Sequence, residues 1–196
     1  MITDPSVTVL GLMSGTSMDG LDCCLCKINL TNSYILNYDI IDWETFPYNT
    51  ETKNLIQKAI NNPDTISDAD KKLGVIFPEF SVKFLNGRKV DVIGSHGQTI
   101  AHQDRESSTQ IGNPKSLFDA IGSPVVYNVR QADINAGGNG APLMPFLDWL
   151  LFHDSEFHTI TLNIGGIANL THITPGALRN EVVGFDTGPG MALIDE

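Results

Sequence analysis

Val7-Thr8-Val9-Leu10-Gly11-Leu12-Met13-Ser14-Gly15-Thr16-Ser17-Met18-Asp19-Gly20-Leu21-Asp22 places a polar, glycine-rich turn between two apolar runs. The run Val7–Leu10 and the run Leu21–Leu30 are rich in β-branched and other apolar residues, so each predicts a strand. The segment between them is then a hairpin tip, whose small residues let backbone N–H groups approach a ligand closely. Ser14, Thr16 and Ser17 add hydroxyl donors, and Asp19 and Asp22 add carboxylates suited to a hydrated magnesium ion. That chemistry fits a polyphosphate. A tight hairpin with a polar tip fits the same residues.

Outward from the hairpin, Tyr34–Trp43 predicts a third strand, so the chain begins as an antiparallel meander. The period then changes. Leu55, Ile56, Ala59 and Ile60 stand at helical spacing, and Ser67-x-x-Asp70 resembles a capping box before Leu73, Ile76, Phe77, Phe80 and Phe84. Pro78 is expected to kink that second helix. Val90–Ile93 predicts a short buried strand that ends in the polar Gly94–Thr99. A short helix (Leu117–Ile121), a strand (Pro124–Tyr127) and an apolar helix (Pro142–Phe152) follow. Ile160–Ile164 and Leu170–Ile173 form a second hairpin with Gly165–Asn169 at its turn, and Val182–Phe185 is a further strand. This order predicts an α/β fold: an RNase H-like domain with a mixed sheet over residues 1–154, then the start of a second similar domain over 155–196. The chain stops within what reads as the first turns of a helix, Met191–Glu196, so the second domain is expected to be truncated.

The composition excludes several classes. Across 196 residues, 12 basic against 23 acidic side chains leave a net charge of -11, which disfavours a nucleic-acid groove or an anionic membrane surface. No run approaches the roughly 18 uninterrupted apolar residues of a membrane span, and Met1–Pro5 lacks the pattern of a signal peptide. Cys23, Cys24 and Cys26 crowd one predicted strand, too close for a structural disulfide and with no second pair to complete a zinc site. They are expected to be small buried residues in a reducing cytoplasm.

Two further segments carry chemistry. Gly94-Ser95-His96-Gly97-Gln98-Thr99 follows a buried strand, where α/β folds bind ligands; His96 and Gln98 each donate and accept, as sugar hydroxyls or an amide require. A satisfied loop histidine is the plain alternative. In Arg130–Leu143 the glycines at 137, 138 and 140 allow close backbone approach, and Asp133 is the best-placed general base. Capping or a turn hydrogen bond would also explain Asp133. Arg130 either positions a phosphate or pairs with Asp133. His153–His158 lacks the order of a zinc motif and reads as a solvated connection. Neither a Walker A loop nor a Gly-x-Ser-x-Gly elbow is present.

In these segments the chain resembles the anhydro-N-acetylmuramic acid kinase family, of the acetate and sugar kinase/heat-shock chaperone/actin superfamily. The match rests on GLMSGTSMDGLD (11–22), GSHGQTIAH (94–102), RQADINAGGNGAPLMP (130–145), LNIGGIANLT (162–171) and GFDTGPG (184–190), in the family's order. The resemblance implies a cytoplasmic enzyme of peptidoglycan recycling. Such an enzyme converts 1,6-anhydro-N-acetylmuramic acid, ATP and water into N-acetylmuramic acid 6-phosphate and ADP. It further implies that Gly15, Thr16, Ser17, Met18, Asp19, Gly20, Leu21, Asp22, Gly165 and Gly166 hold ATP, with Asp19 reaching Mg2+ through water. Asp133 is then the base, and His96, Gln98, Thr99 and Arg130 lie near the sugar. Homodimerisation is expected from the family alone. Asn139 stands where the family carries Gln, Met191 where it carries Asn, and Val129 where it carries Phe. Family members run about twice as long, so a fragment that binds sugar or nucleotide without turnover is the alternative.

Overall fold

The alternating pattern of the first fifty residues folds as a meander of three strands: β1 (Ser6–Ser14), β2 (Gly20–Thr31) and β3 (Tyr34–Pro47). The computed structural model describes residues 6–31, 34–191 and 194. Along β1 and β2 the inward positions Leu10, Leu12, Leu21, Cys23 and Leu25 are buried, while Asp22 on the opposite side is exposed. Strand periodicity also separates the cysteines: Cys23 joins the core, whereas Cys24 and Cys26 share the other face, half-buried, with their sulfurs 3.8 Å apart. The expectation of three buried cysteines therefore holds for Cys23 alone.

Helix α1 (Thr50–Asn61) starts where the Asn49 side chain accepts the Thr52 N–H, a cap worth about 1 kcal/mol. Helix α2 (Ile66–Leu85) continues through Pro78 and stops at Asn86, whose φ of 45° is left-handed. The capping box expected at Ser67 and Asp70 does not form. Both lie inside α2, and Asp70 Oδ1 instead accepts the Gly112 and Asn113 N–H groups at 2.8 and 3.2 Å.

Strand β4 (Val92–Gln103) is longer than expected, because the polar segment Gly94–Thr99 continues the strand rather than forming a loop. It pairs with β1 in parallel, with β5 (Ser107–Ile111) antiparallel and with the short β6 (Val125–Val126) in parallel. Helix α3 (Pro114–Ile121) separates β5 from β6 and is capped by the Asn113 side chain on Lys115 N–H. The sheet order is β3-β2-β1-β4-β5, with β6 beside β4. Ile56, Leu73, Phe77, Phe84 and Leu117 from the helices close over one face of this sheet and form the core with it. Each such fully buried side chain contributes roughly 1.5–3 kcal/mol. This is an α/β fold with a mixed sheet, in the arrangement of an actin-like ATPase domain.

The remaining elements are α4 (Val129–Asn135), α5 (Met144–Phe152) and a second sheet in which β8 (Ile167–Ile173) lies between β7 (Thr159–Ile164) and β9 (Val183–Pro189). The helix expected from Met191 onward falls mostly outside the described residues. The chain divides into one compact unit of Met1–Gln103 with Ser107–Gln131 and another of Asp104–Glu106 with Ala132–Glu196. This division falls earlier than residue 154 because α5 packs on the second sheet. The buried Asp148 carboxylate accepts the Thr161 and Thr171 hydroxyls at 2.7 and 2.6 Å, and the Trp149 indole N–H donates to Ala177 O. On the other face of that sheet Ile160, Leu162, Ile164, Val183 and Phe185 are exposed. Among the described residues no helix is long and apolar enough to cross a membrane.

Candidate functional site

The turn between β1 and β2 consists of residues 15–19, closed by a hydrogen bond from Met18 N–H to Gly15 O. Met18 takes a left-handed φ of 55° and its side chain packs against the core. Thr16, Ser17 and Asp19 are exposed, so their hydroxyls and carboxylate face solvent as a phosphate-holding loop requires. Gly20 and Leu21 do not belong to that surface. Leu21 is wholly buried in the core, and a Cβ on Gly20 would overlap the Phe46 carbonyl where β2 approaches β3. Asp22 points to the exposed side of β2, where its Oδ1 accepts the Thr45 hydroxyl at 2.5 Å.

A buried polar network fixes the turn from below. Ser14 Oγ donates to Gln98 Oε1 at 2.6 Å and accepts from Tyr48 Oη at 2.8 Å. Gln98 Nε2 donates to Gly15 O and Thr99 O, both at 3.2 Å. Gln98 is 0% exposed. It was expected beside the sugar, and instead both ends of its amide are engaged inside the protein; it supports the hairpin. Tyr48 completes the network and was not anticipated, since an aromatic residue after a strand carries no sequence signal for a polar role. Burial pushes its hydroxyl well above the ordinary tyrosine range, although the Ser14 bond opposes that shift.

Next on β4, the His96 ring is held at both nitrogens. Nδ1 lies 2.8 Å from Gly97 O, a carbonyl that can only accept, so Nδ1 carries the proton. Nε2 then accepts from Arg130 Nε at 2.9 Å. Burial, joined by the Arg130 charge, holds the imidazole below the usual histidine range against the opposing effect of the Gly97 bond. The ring is neutral and acts as a brace for Arg130. Thr99 is half-buried one strand position beyond Gln98.

His96, Ser95 and Gly97 form one wall of an open cavity of about 600 Å³, lined elsewhere by the start of α2, by β5 and by Tyr127 and Asn128. That volume lies within the roughly 300–1,000 Å³ of small-molecule sites. Asp70, through its two bonds to the Gly112 and Asn113 N–H groups, shapes the far wall. Gly112 sits there at φ 117° with the Phe77 ring where a Cβ would be, so only glycine fits.

The other compact unit carries Asp133. Its backbone O accepts from Ala136 and Gly138 N–H, and its Oδ2 accepts from Gly140 N–H at 2.8 Å. A Cβ on Gly138 would overlap the carboxylate. The glycines thus let the loop wrap around an exposed Asp133. Asn139 accepts from Arg105 Nε through Oδ1 at 2.7 Å. At the second hairpin, Gly165 O and Gly166 O accept from Met191 and Gly190 N–H. That tip is pinned by the segment after β9.

Magnesium commonly takes one or two carboxylates, several waters and substrate phosphates rather than a full protein cage. The single exposed Asp19 carboxylate among loop hydroxyls fits that pattern. The described residues contain no cluster of three or more potential ligands.

A family model described as anhydro-N-acetylmuramic acid kinase matches residues 7–196. The chain is 37% identical over 201 residues to the anhydro-N-acetylmuramic acid kinase of Francisella tularensis subsp. novicida, covering 95% of this chain and 52% of that protein. It is 36% identical over 204 residues to the namesake of Bacillus thuringiensis subsp. konkukian (96% and 53%), and 37% over 207 residues to that of Caldanaerobacter subterraneus subsp. tengcongensis (96% and 52%). The chain spans about half the length of these curated relatives. A match running almost from end to end, through each segment described above, means that this chain belongs to the anhydro-N-acetylmuramic acid kinase family.

Proposed function

We propose that the chain carries the phosphate loop, the sugar-binding strand and the catalytic base of a cytoplasmic kinase of cell-wall recycling. The reaction converts 1,6-anhydro-N-acetylmuramic acid, ATP and water into N-acetylmuramic acid 6-phosphate and ADP. The observation that carries this reading is the hairpin turn 15–19, held open to solvent by the buried Ser14–Gln98–Tyr48 network. Its exposed hydroxyls and backbone take the phosphate chain of ATP; the same reading assigns Gly165 and Gly166 to ATP on the family resemblance alone. Magnesium, reached through water from Asp19, would offset charge on the transferring phosphoryl group.

Asp133 removes a proton from the water that attacks the anomeric carbon. As that C–O bond forms, the bond from the anomeric carbon to O6 breaks, and O6 takes the γ-phosphoryl group. The loop of residues 136–140 orients Asp133 by occupying Oδ2, while the exposure of the side chain leaves lone pairs for the water. Arg130, braced by neutral His96, supplies fixed positive charge beside the sugar together with Thr99. A homodimer is part of the same reading.

The test supplies ATP, Mg2+ and 1,6-anhydro-N-acetylmuramic acid to the chain. It is run alone and with a polypeptide equivalent to the unmatched half of a relative, and the 6-phosphosugar is read by mass spectrometry. Product in either arm is expected, and product in neither rejects the kinase. Binding of sugar or nucleotide without product in both arms would mark a binding fragment, a reading favoured by the coverage of about half of each relative. In the active form Asp133→Asn should lower turnover by roughly 10²–10⁴-fold and leave nucleotide affinity unchanged. Retained turnover removes Asp133 from the base role.

A further inference from the structure

Arg105 stands in the middle of the turn between β4 and β5 and takes a left-handed φ of 63°. A side chain other than glycine crowds its own backbone there, so the conformation is uncommon and persists where surrounding bonds hold it. Two such bonds go to a single residue. The Arg105 backbone N–H donates to Asn139 O at 3.3 Å, and its Nε donates to Asn139 Oδ1 at 2.7 Å. The turn residues Asp104–Glu106 belong to the same compact unit as the Asp133 loop.

Asn139 is the point from which that loop can be steadied. It lies between Gly138, whose N–H donates to Asp133 O, and Gly140, whose N–H donates to Asp133 Oδ2. Gly137 and Gly140 adopt φ angles of 95° and 81°, and glycine has more backbone freedom to lose than any other residue. A loop of this composition wraps a carboxylate closely but, by itself, sets it loosely. The guanidinium bond and the main-chain bond from Arg105 remove that freedom at residue 139. We infer that Arg105 is a positioning residue for the reaction: acting through Asn139, it holds the Gly140 N–H on Asp133 and so fixes the orientation of the carboxylate toward the attacking water. This rests on the base role given to Asp133 above and adds a group outside the loop that sets its geometry. Both Arg105 and Asn139 are exposed, and exposed polar pairs contribute little to global stability, so breaking the bond loosens the carboxylate without unfolding the chain.

The experiment measures amide hydrogen exchange of the whole chain by 1H–15N NMR in the unaltered protein, Arg105→Ala, Asn139→Ala and the double variant. Exchange at Gly140 should be about threefold faster in each single variant. It should be no faster in the double variant, because the two changes remove one interaction. Exchange in β1 and β2 should stay as it is. In the active form Arg105→Ala should lower kcat about threefold and leave KM for ATP unchanged. Unaltered exchange at Gly140 in Arg105→Ala, additive effects in the double variant, or an equal rise in β1 and β2 overturns the inference while leaving the kinase intact. A loosened Gly140 with undiminished kcat overturns it as well. A loosened Gly140, with no phosphosugar from the unaltered chain in either arm of the assay above, upholds the hold of Arg105 on the loop and rejects the kinase.

Discussion

At the scale of single residues, the two polar side chains of the Gly94–Thr99 segment take opposite roles. Both were expected at a ligand; two residues apart, they would share a face of a regular strand. β4 is irregular here, Gly97 taking a φ of 72° where the pairing with β1 shifts register, and His96 lines the cavity while Gln98 lies in the core. The His96 arrangement has a consequence for titration. Because its folded pKa lies below that of a free histidine, the unfolded chain takes up the proton first, and stability contributed by this site falls as pH drops through the ordinary histidine range, near 6.5. Ring 15N shifts at about pH 6 should therefore still report a neutral, Nδ1-protonated His96; an imidazolium signature there would refute the Arg130 brace. Cys23 is inert for a related reason, its thiol pushed up to about 12 by burial and by the neighbouring Asp22 and Glu44.

Whole elements show how the turn is held. The Ser14–Gln98–Tyr48 network ties β1, β4 and the end of β3 together in the interior, so its geometry is imposed on residues 15–19. Replacing Gln98 with Ala strips Ser14 Oγ of its acceptor and Gly15 O of its side-chain donor. A loss of roughly 1–3 kcal/mol is expected, the usual penalty for leaving buried polar groups unmatched. Urea unfolding measures it, and an unshifted midpoint would mean that water replaces the amide. The strands and helices themselves were largely legible in the sequence, because β1, β2, α1 and α2 bury one periodic stripe each. β5 was not, since Ser107–Ile111 is mostly polar and becomes a strand only by pairing with β4. The supposed capping box at Ser67 failed because Asp70, already inside α2, has backbone N–H groups from 112 and 113 within reach.

Over the whole molecule, burial is unequal. The described core residues of the first sheet are closed over by helices, whereas the second sheet leaves Ile160, Leu162, Ile164, Val183 and Phe185 exposed. Local opening free energies follow buried apolar contact. Hydrogen exchange should accordingly be slowest in β1, β2 and β4 and faster by at least tenfold in β7 and β9. Uniform protection across both sheets would contradict this ordering. The sequence by itself determined the α/β class, the order of most elements and the segments singled out as candidates for chemistry, because periodicity, glycine spacing and hydroxyl-rich turns are local properties of the chain. Only the tertiary structure decided which side chains of those segments meet solvent. Leu21 and Gln98 are core, Asp70 is a cavity wall and Tyr48 is a hidden support, because strand pairing and helix packing bring together residues far apart in sequence. The polar turn of residues 15–19 was readable from its composition; the buried network that shapes it was not, since Ser14, Tyr48 and Gln98 come together only when β1, β3 and β4 pack.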